Sequence, residues 1–107
     1  MQLAHAITLA EARSYLAALA DTAHTVGGSI AYERVLLQLD LVHGDQAPAY
    51  EELPHSLAAD LLYRLAVKAI HDLVPHGVDA LQVELVLANL LDARDTDTRL
   101  NGPIGRP

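Results

Sequence analysis

V-D-A-L-Q-V-E-L-V-L-A-N-L-L-D-A-R, residues 78–94, is the most apolar stretch of the chain. Its reading decides the fold. Asp79 is a helix-capping residue type, and Gln82 follows at the spacing of a capping-box partner. Past the cap, Leu81, Leu85, Ala88 and Leu91 line one helical face, while Val83, Val86, Leu87 and Leu90 line another. A surface helix needs one apolar stripe, whereas a helix apolar on most of its circumference is expected to be buried on several sides. The pattern therefore predicts a helix that the others pack around, or one shared with a second copy. Asn89 lies in the middle of it. By helical geometry it falls about 20° from Gln82, on a narrow polar strip. Its other reading is a register-setting amide in a helical interface.

Outward from this stretch, the chain punctuates itself into four helical segments. Thr8-Leu9-Ala10-Glu11 has the form of a capping box. Leu9, Ala12, Leu16, Leu19, Ala23 and Val26 then recur at alternating spacings of three and four, which predicts a helix over about 9–24. Gly27-Gly28 ends it on this reading, and Ser29 caps a second helix over 30–43 that Gly44 closes. Within that second segment Leu37, Leu39 and Leu41 alternate with polar residues as in a strand; length, cap and ending favour helix. Residues 45–53 break the pattern, with Pro48 disfavouring helix just before it. A third helix is expected from Pro54 or Ser56 to about Val74, with Asp60, Arg64, Lys68 and Asp72 stepping along its wet side as candidate ion pairs. Pro75 and Gly77 stop it, and the short join forces an antiparallel turn into the fourth helix over 80–94. Residues 95–107 lose the period and gain Gly and Pro, which reads as a frayed tail after a single domain over 1–94.

The fold class expected is all-α: an antiparallel up-down four-helix bundle, open to completion by dimerisation. The composition agrees. Of 107 residues 51% are hydrophobic, yet aromatics make up only 4%, all Tyr, so the core must be built from Leu, Ala, Val and Ile. Such residues favour helix where Leu and Ala dominate. Tyr15, Tyr32, Tyr50 and Tyr63 are expected at core edges, rings in and hydroxyls wet.

The formal charge of −7, with Lys68 the only lysine and arginines scattered along the chain, speaks against a nucleic-acid-binding face. It speaks equally against anionic membrane surfaces. No segment has the ~20 uninterrupted apolar residues of a membrane span, and the N-terminal residues do not resemble a signal peptide. With no cysteine, disulfides and thiolate chemistry are excluded, and a cytoplasmic location is the expectation.

Six histidines attract attention. In a simple up-down bundle, His24, His71 and His76 would share one pole, and His5, His43 and His55 the other. Most fall at predicted helix ends, where an imidazole interacts well with the final carbonyls. The reading is therefore no metal and no cofactor, with His24, His71, Asp72 and His76 as the weak candidates for a metal site. Gly27-Gly28-Ser29 opening a helix offers free amides to an anion, but no neighbouring Lys or Arg completes such a site. Glu51-Glu52 reads as a solvated loop pair. No nucleophile–base pair or cofactor motif can be assembled, so no catalytic residue is assigned and the chain is not expected to be an enzyme.

The functional expectation is a non-catalytic helical interaction or regulatory module, homodimeric through Leu85, Val86, Asn89 and Leu90. The reason is the surplus of apolar surface, which soluble monomers rarely leave exposed. Two alternatives stand beside it. One is an acidic inhibitor or antitoxin-like protein that binds a basic protein partner; the other is a bundle that binds a small ligand or a metal.

Overall fold

The computed structural model describes residues 3–44, 53 and 57–101, with side chains described as far as residue 98. Four α-helices account for most of them: α1 (Leu3–Asp21), α2 (Val26–His43), α3 (Ala59–His71) and α4 (Ala80–Asn101). A single 3₁₀ turn, Val74–His76, follows α3 and ends on Gly77, whose φ of +99° suits a residue without a side chain. The four helices pack into a helical bundle, the all-α class that the periodicities predict, though not in the expected up-down order. Residues 35–42 are helical. Tyr50, Glu51, Glu52, His55 and Ser56 lie outside the described residues, as does the expected start of the third helix at Pro54.

α1 packs against both α2 and α3, and α4 packs against α2 and more sparsely against α3. Thus α1 and α4 lie on one diagonal, and α2 and α3 on the other. The start of α1 meets the end of α2 and the turn after α3, through His5, His43 and His76. At the opposite end the last part of α4 meets the start of α2. Consequently α2 and α3 run in the same direction, each antiparallel to its two neighbours. The connection over 44–58 joins opposite ends of the bundle, making this a bundle with one crossover.

The most deeply packed helix is α1. Leu9, Ala12, Leu16 and Leu19 are buried as their spacing predicts, and Ser14, Ala18 and Ala20 are buried with them. Small alanines let two neighbours approach α1 closely, so it serves two interfaces at once. The expectation that the fourth helix is central is corrected here. α4 buries one stripe, Val83, Val86, Leu90, Ala93 and Asp97, at alternating spacings of three and four. Leu81, Leu85 and Leu91 remain exposed. Apolar residues around the whole circumference do not mean burial around it.

Three helix ends also differ from the sequence reading. α1 begins at Leu3, and Thr8 does not cap it; its hydroxyl donates back to the Ala4 carbonyl (3.1 Å). α2 begins before Gly27-Gly28, with Thr25 as its cap, whose Oγ1 accepts from the Gly28 amide (2.9 Å). α4 continues seven residues past Arg94, to Asn101, so the expected tail starts later. Nothing in 95–101 breaks a helix, and the first Gly-Pro stands at Gly102-Pro103.

What holds the late part of α4 in place is Asp97. Only 6% exposed, its carboxylate accepts from the His24 amide (3.1 Å), the Thr25 amide (2.9 Å) and the Thr25 hydroxyl (2.9 Å). The acid therefore sits at the amino end of α2, where the helix dipole and free amides favour negative charge. Gly28 is packed against it, and a Cβ there would collide with the Asp97 side chain, its Cβ included. Arg13 adds a second interhelical tie. Its Nε and a terminal nitrogen donate to the two oxygens of Asp40 at 2.7 and 3.1 Å, joining α1 to α2.

The Asp97–Gly28 contact predicts strong non-additivity. Gly28→Ala should lower the melting temperature of the wild type through the collision. Asp97→Gly should destabilise by roughly 1–3 kcal/mol through lost caps and helix propensity. In the Asp97→Gly background, Gly28→Ala should become neutral or stabilising, because alanine is the better helix residue once the space is free. Thermal unfolding of the four proteins decides it; an equal loss from Gly28→Ala in both backgrounds would contradict the packing described.

Candidate interaction face

Three places gather the groups that could carry function: the two poles of the bundle and the outer face of α2 and α4. At the pole formed by the start of α2, Tyr32 lies close to Asp97 with its ring buried (3% exposed). Burial first, and then the Asp97 charge, push its phenol up to about 12, with Arg94 opposing. Beside it the Arg94 guanidinium stacks over the Tyr63 ring at 4.3 Å, a link between α3 and α4. Tyr15 and Tyr63 sit at the core edge as expected, while Tyr32 is buried outright. Near Gly27-Gly28-Ser29, where the sequence offers amides but no complete anion site, a carboxylate of the chain itself accepts from the amides of His24 and Thr25.

The opposite pole carries His5, His43 and His76. His5 Nε2 lies 3.3 Å from His43 Nε2, with the rings edge to face. The His76 ring stacks on His5 at 5.4 Å between centroids. Burial and the neighbouring His43 and His76 lower the pKa of His5. The expected grouping of His24 with His71 and His76 is not found. His24 lies in the α1–α2 loop beside Asp97, at the far pole, because the crossover reverses α3. His71 closes α3, and Asp72 just after it pairs with Lys68 (2.7 Å), one of the two ion pairs expected. In the other, Arg64 reaches the Asp60 backbone carbonyl (3.4 Å) instead of its carboxylate. As the side chains stand, no three metal-ligand residues among those described converge on one point.

The outer face of α2 and α4 holds part of the exposed apolar surface, while Leu3 and Ile7 of α1, Val26 of α2, Leu61 of α3 and Leu91 of α4 are exposed as well. Ile30, Leu37 and Leu41 project from α2, Leu41 being 73% exposed. Leu81 and Leu85 project from α4, with exposures of 61% and 47%. By helical geometry these side chains lie on the outer sides of the two helices, flanking one shared groove. Along its floor Asn89 Nδ2 donates to Gln38 Oε1 at 2.7 Å, a bond that ties the two helices on their wet side. Arg34 and Asp92 also line the groove, so it carries both signs of charge.

Of the four residues expected at an interface, Leu85 and Asn89 are on this face. Val86 and Leu90 are not: both are buried in the bundle's own core. Leu37 and Leu41 join Leu85 and Asn89 from the 35–42 segment, whose apolar surplus the sequence shows if it is helical, and their alternation with inward Leu39 is the signal. A strand-like alternation inside a helix leaves every second leucine outside. Among the described residues no helix is long and apolar enough to cross a membrane. Compared with protein-family models, with curated proteins and with solved structures, the chain matches none.

The Tyr32 environment yields a pH prediction. Its folded pKa lies above the ordinary tyrosine value near 10, so its contribution to stability is intact below pH 10 and is lost as pH rises toward about 12. Phenolate absorbance should show one tyrosine ionising late, together with loss of helical ellipticity, and Tyr32→Phe should remove that late step. Four tyrosines ionising together near 10 with the helices intact would contradict it.

Proposed function

We propose that this chain is a non-catalytic helical interaction module that pairs with a second copy of itself through the outer face of α2 and α4. The observation that carries the reading is the gathering of Ile30, Leu37, Leu41, Leu81 and Leu85 on one side of the bundle, outside a core that is already complete. Soluble chains seldom leave such patches uncovered. Two two-helix layers laid face to face bury them in the manner of any helix-on-helix contact. A second copy fits this face better than a basic partner does. The groove has both Arg34 and Asp92, so a two-fold arrangement opposes unlike charges, and its floor carries a neutral Gln38–Asn89 pair flanked by the exposed leucines. The overall charge of −7 keeps the pair soluble from its outer surfaces. The chain is taken as a cytoplasmic protein in this reading.

The test is molar mass by light scattering across a concentration range. The wild type should rise toward twice the chain mass. Leu41→Asp with Leu85→Asp should stay monomeric and keep its helical content, since both positions lie outside the core. Val86→Asp should instead unfold the bundle, because it buries a charge with no partner. A wild type that remains monomeric at every concentration would overturn the proposal.

A further inference from the structure

The histidine pole contains an arrangement that has no part in the pairing of α2–α4 faces and is independent of it. Three imidazoles arrive there from three separate elements: His5 from α1, His43 from the last position of α2, and His76 from the 3₁₀ turn. His43 Nδ1 lies 2.9 Å from the Leu39 carbonyl oxygen. A carbonyl only accepts, so Nδ1 carries the proton and the neutral ring presents a bare Nε2. That bare nitrogen accepts a hydrogen bond from His5 Nε2, 3.3 Å away, so a metal bound by both requires the His5 proton to move to its own Nδ1. Ligand nitrogens held ~2.0–2.1 Å from a tetrahedral zinc stand about 3.3–3.4 Å apart. A metal-bound histidine almost always spends its second ring nitrogen on a carbonyl or carboxylate, as His43 does. The ring of His76 stacks parallel to His5, so it needs a side-chain rotation to bring a nitrogen toward the same point. Asp79 and Gln82 border the same open pocket, which gives an ion access from solvent.

We propose that His5 and His43 are the preset half of a binding site for a divalent transition metal of the zinc type, closed by rotation of His76. The site would tie together the start of α1, the end of α2 and the turn after α3. It lies within one chain, so metal binding should not change the number of chains in the particle.

The full chain, freed of metal by chelator, is titrated with Zn²⁺ by calorimetry, and its thermal unfolding is followed at each ratio. One ion per chain should bind saturably, and the melting temperature should climb with zinc concentration. His5→Ala and His43→Ala should each abolish that binding, and His76→Ala should weaken it at least tenfold. His24→Ala and His71→Ala should leave it unchanged. Long-range ¹⁵N–¹H spectra of the wild type provide a readout free of mutation. Zinc should shift Nε2 of His5 and of His43, with the His43 proton staying on Nδ1 and the His5 proton moving from Nε2 to Nδ1. The proposal is overturned by an absence of saturable uptake, by binding that survives His5→Ala or His43→Ala undiminished, by shifts confined to other histidines, or by a zinc-dependent doubling of mass.

Discussion

A single buried carboxylate ties the late part of α4 to the start of α2. Asp97 comes from late in α4, yet it satisfies backbone and hydroxyl donors of His24 and Thr25 where α2 begins. A carboxylate held out of water is costly unless its lone pairs are filled, and here three donors fill them. Its presence explains several features that otherwise look unrelated. α2 starts at Val26, ahead of its two glycines, because Asp97 supports that end. Gly28 has no side chain because the acid fills the space a Cβ would take. α4 remains helical beyond Arg94 because its last turns are anchored.

With α4 fixed against α2, the remaining packing follows. α1, rich in alanine, lies between α2 and α3 and is the helix most thoroughly removed from water. α3 runs parallel to α2 across the diagonal. The α3–α4 contact is the lightest between ring neighbours, and the Arg94–Tyr63 stack helps to cover it. On the far side the inward stripes of α2 and α4 complete the core, so the leucines outside it are in excess of what one chain needs. On the proposed pairing, that surplus serves a second copy and not the fold.

Much of the fold is legible from the residues. The Leu9–Ala12–Leu16–Leu19 spacing places α1, and Pro75 with Gly77 places the turn before α4. Local pattern carries that information because each signal and its consequence lie within one or two turns. Where local pattern fails, the deciding contact is distant in sequence. Nothing near Asp97 marks it as the partner of Thr25, so its segment resembles a polar tail. Nothing in 45–56 states that the chain must travel to the other end of the bundle, so a simple up-down order groups His76 with His24 instead of with His5 and His43. The fourth helix shows a third kind of failure. Its many apolar residues specify that something will cover them, but only tertiary packing separates Val86 and Leu90, inside, from Leu85, outside. Asn89 is readable as a wet-side amide, though its Gln38 partner is not.

The fold and the proposed pairing both depend on the division of the apolar residues into a closed core and an outer α2–α4 face. Solvent paramagnetic relaxation on the methyl groups of Leu and Val, measured at low and high protein concentration, probes that division residue by residue. At low concentration Leu37, Leu41, Leu81 and Leu85 should relax quickly beside a soluble paramagnetic probe, while Leu9, Leu16, Val86 and Leu90 should be shielded. Raising the concentration should shield the first group and leave the second unchanged. Shielding around the whole of α4 at low concentration, or outer leucines exposed at every concentration, would contradict the division and the pairing built on it.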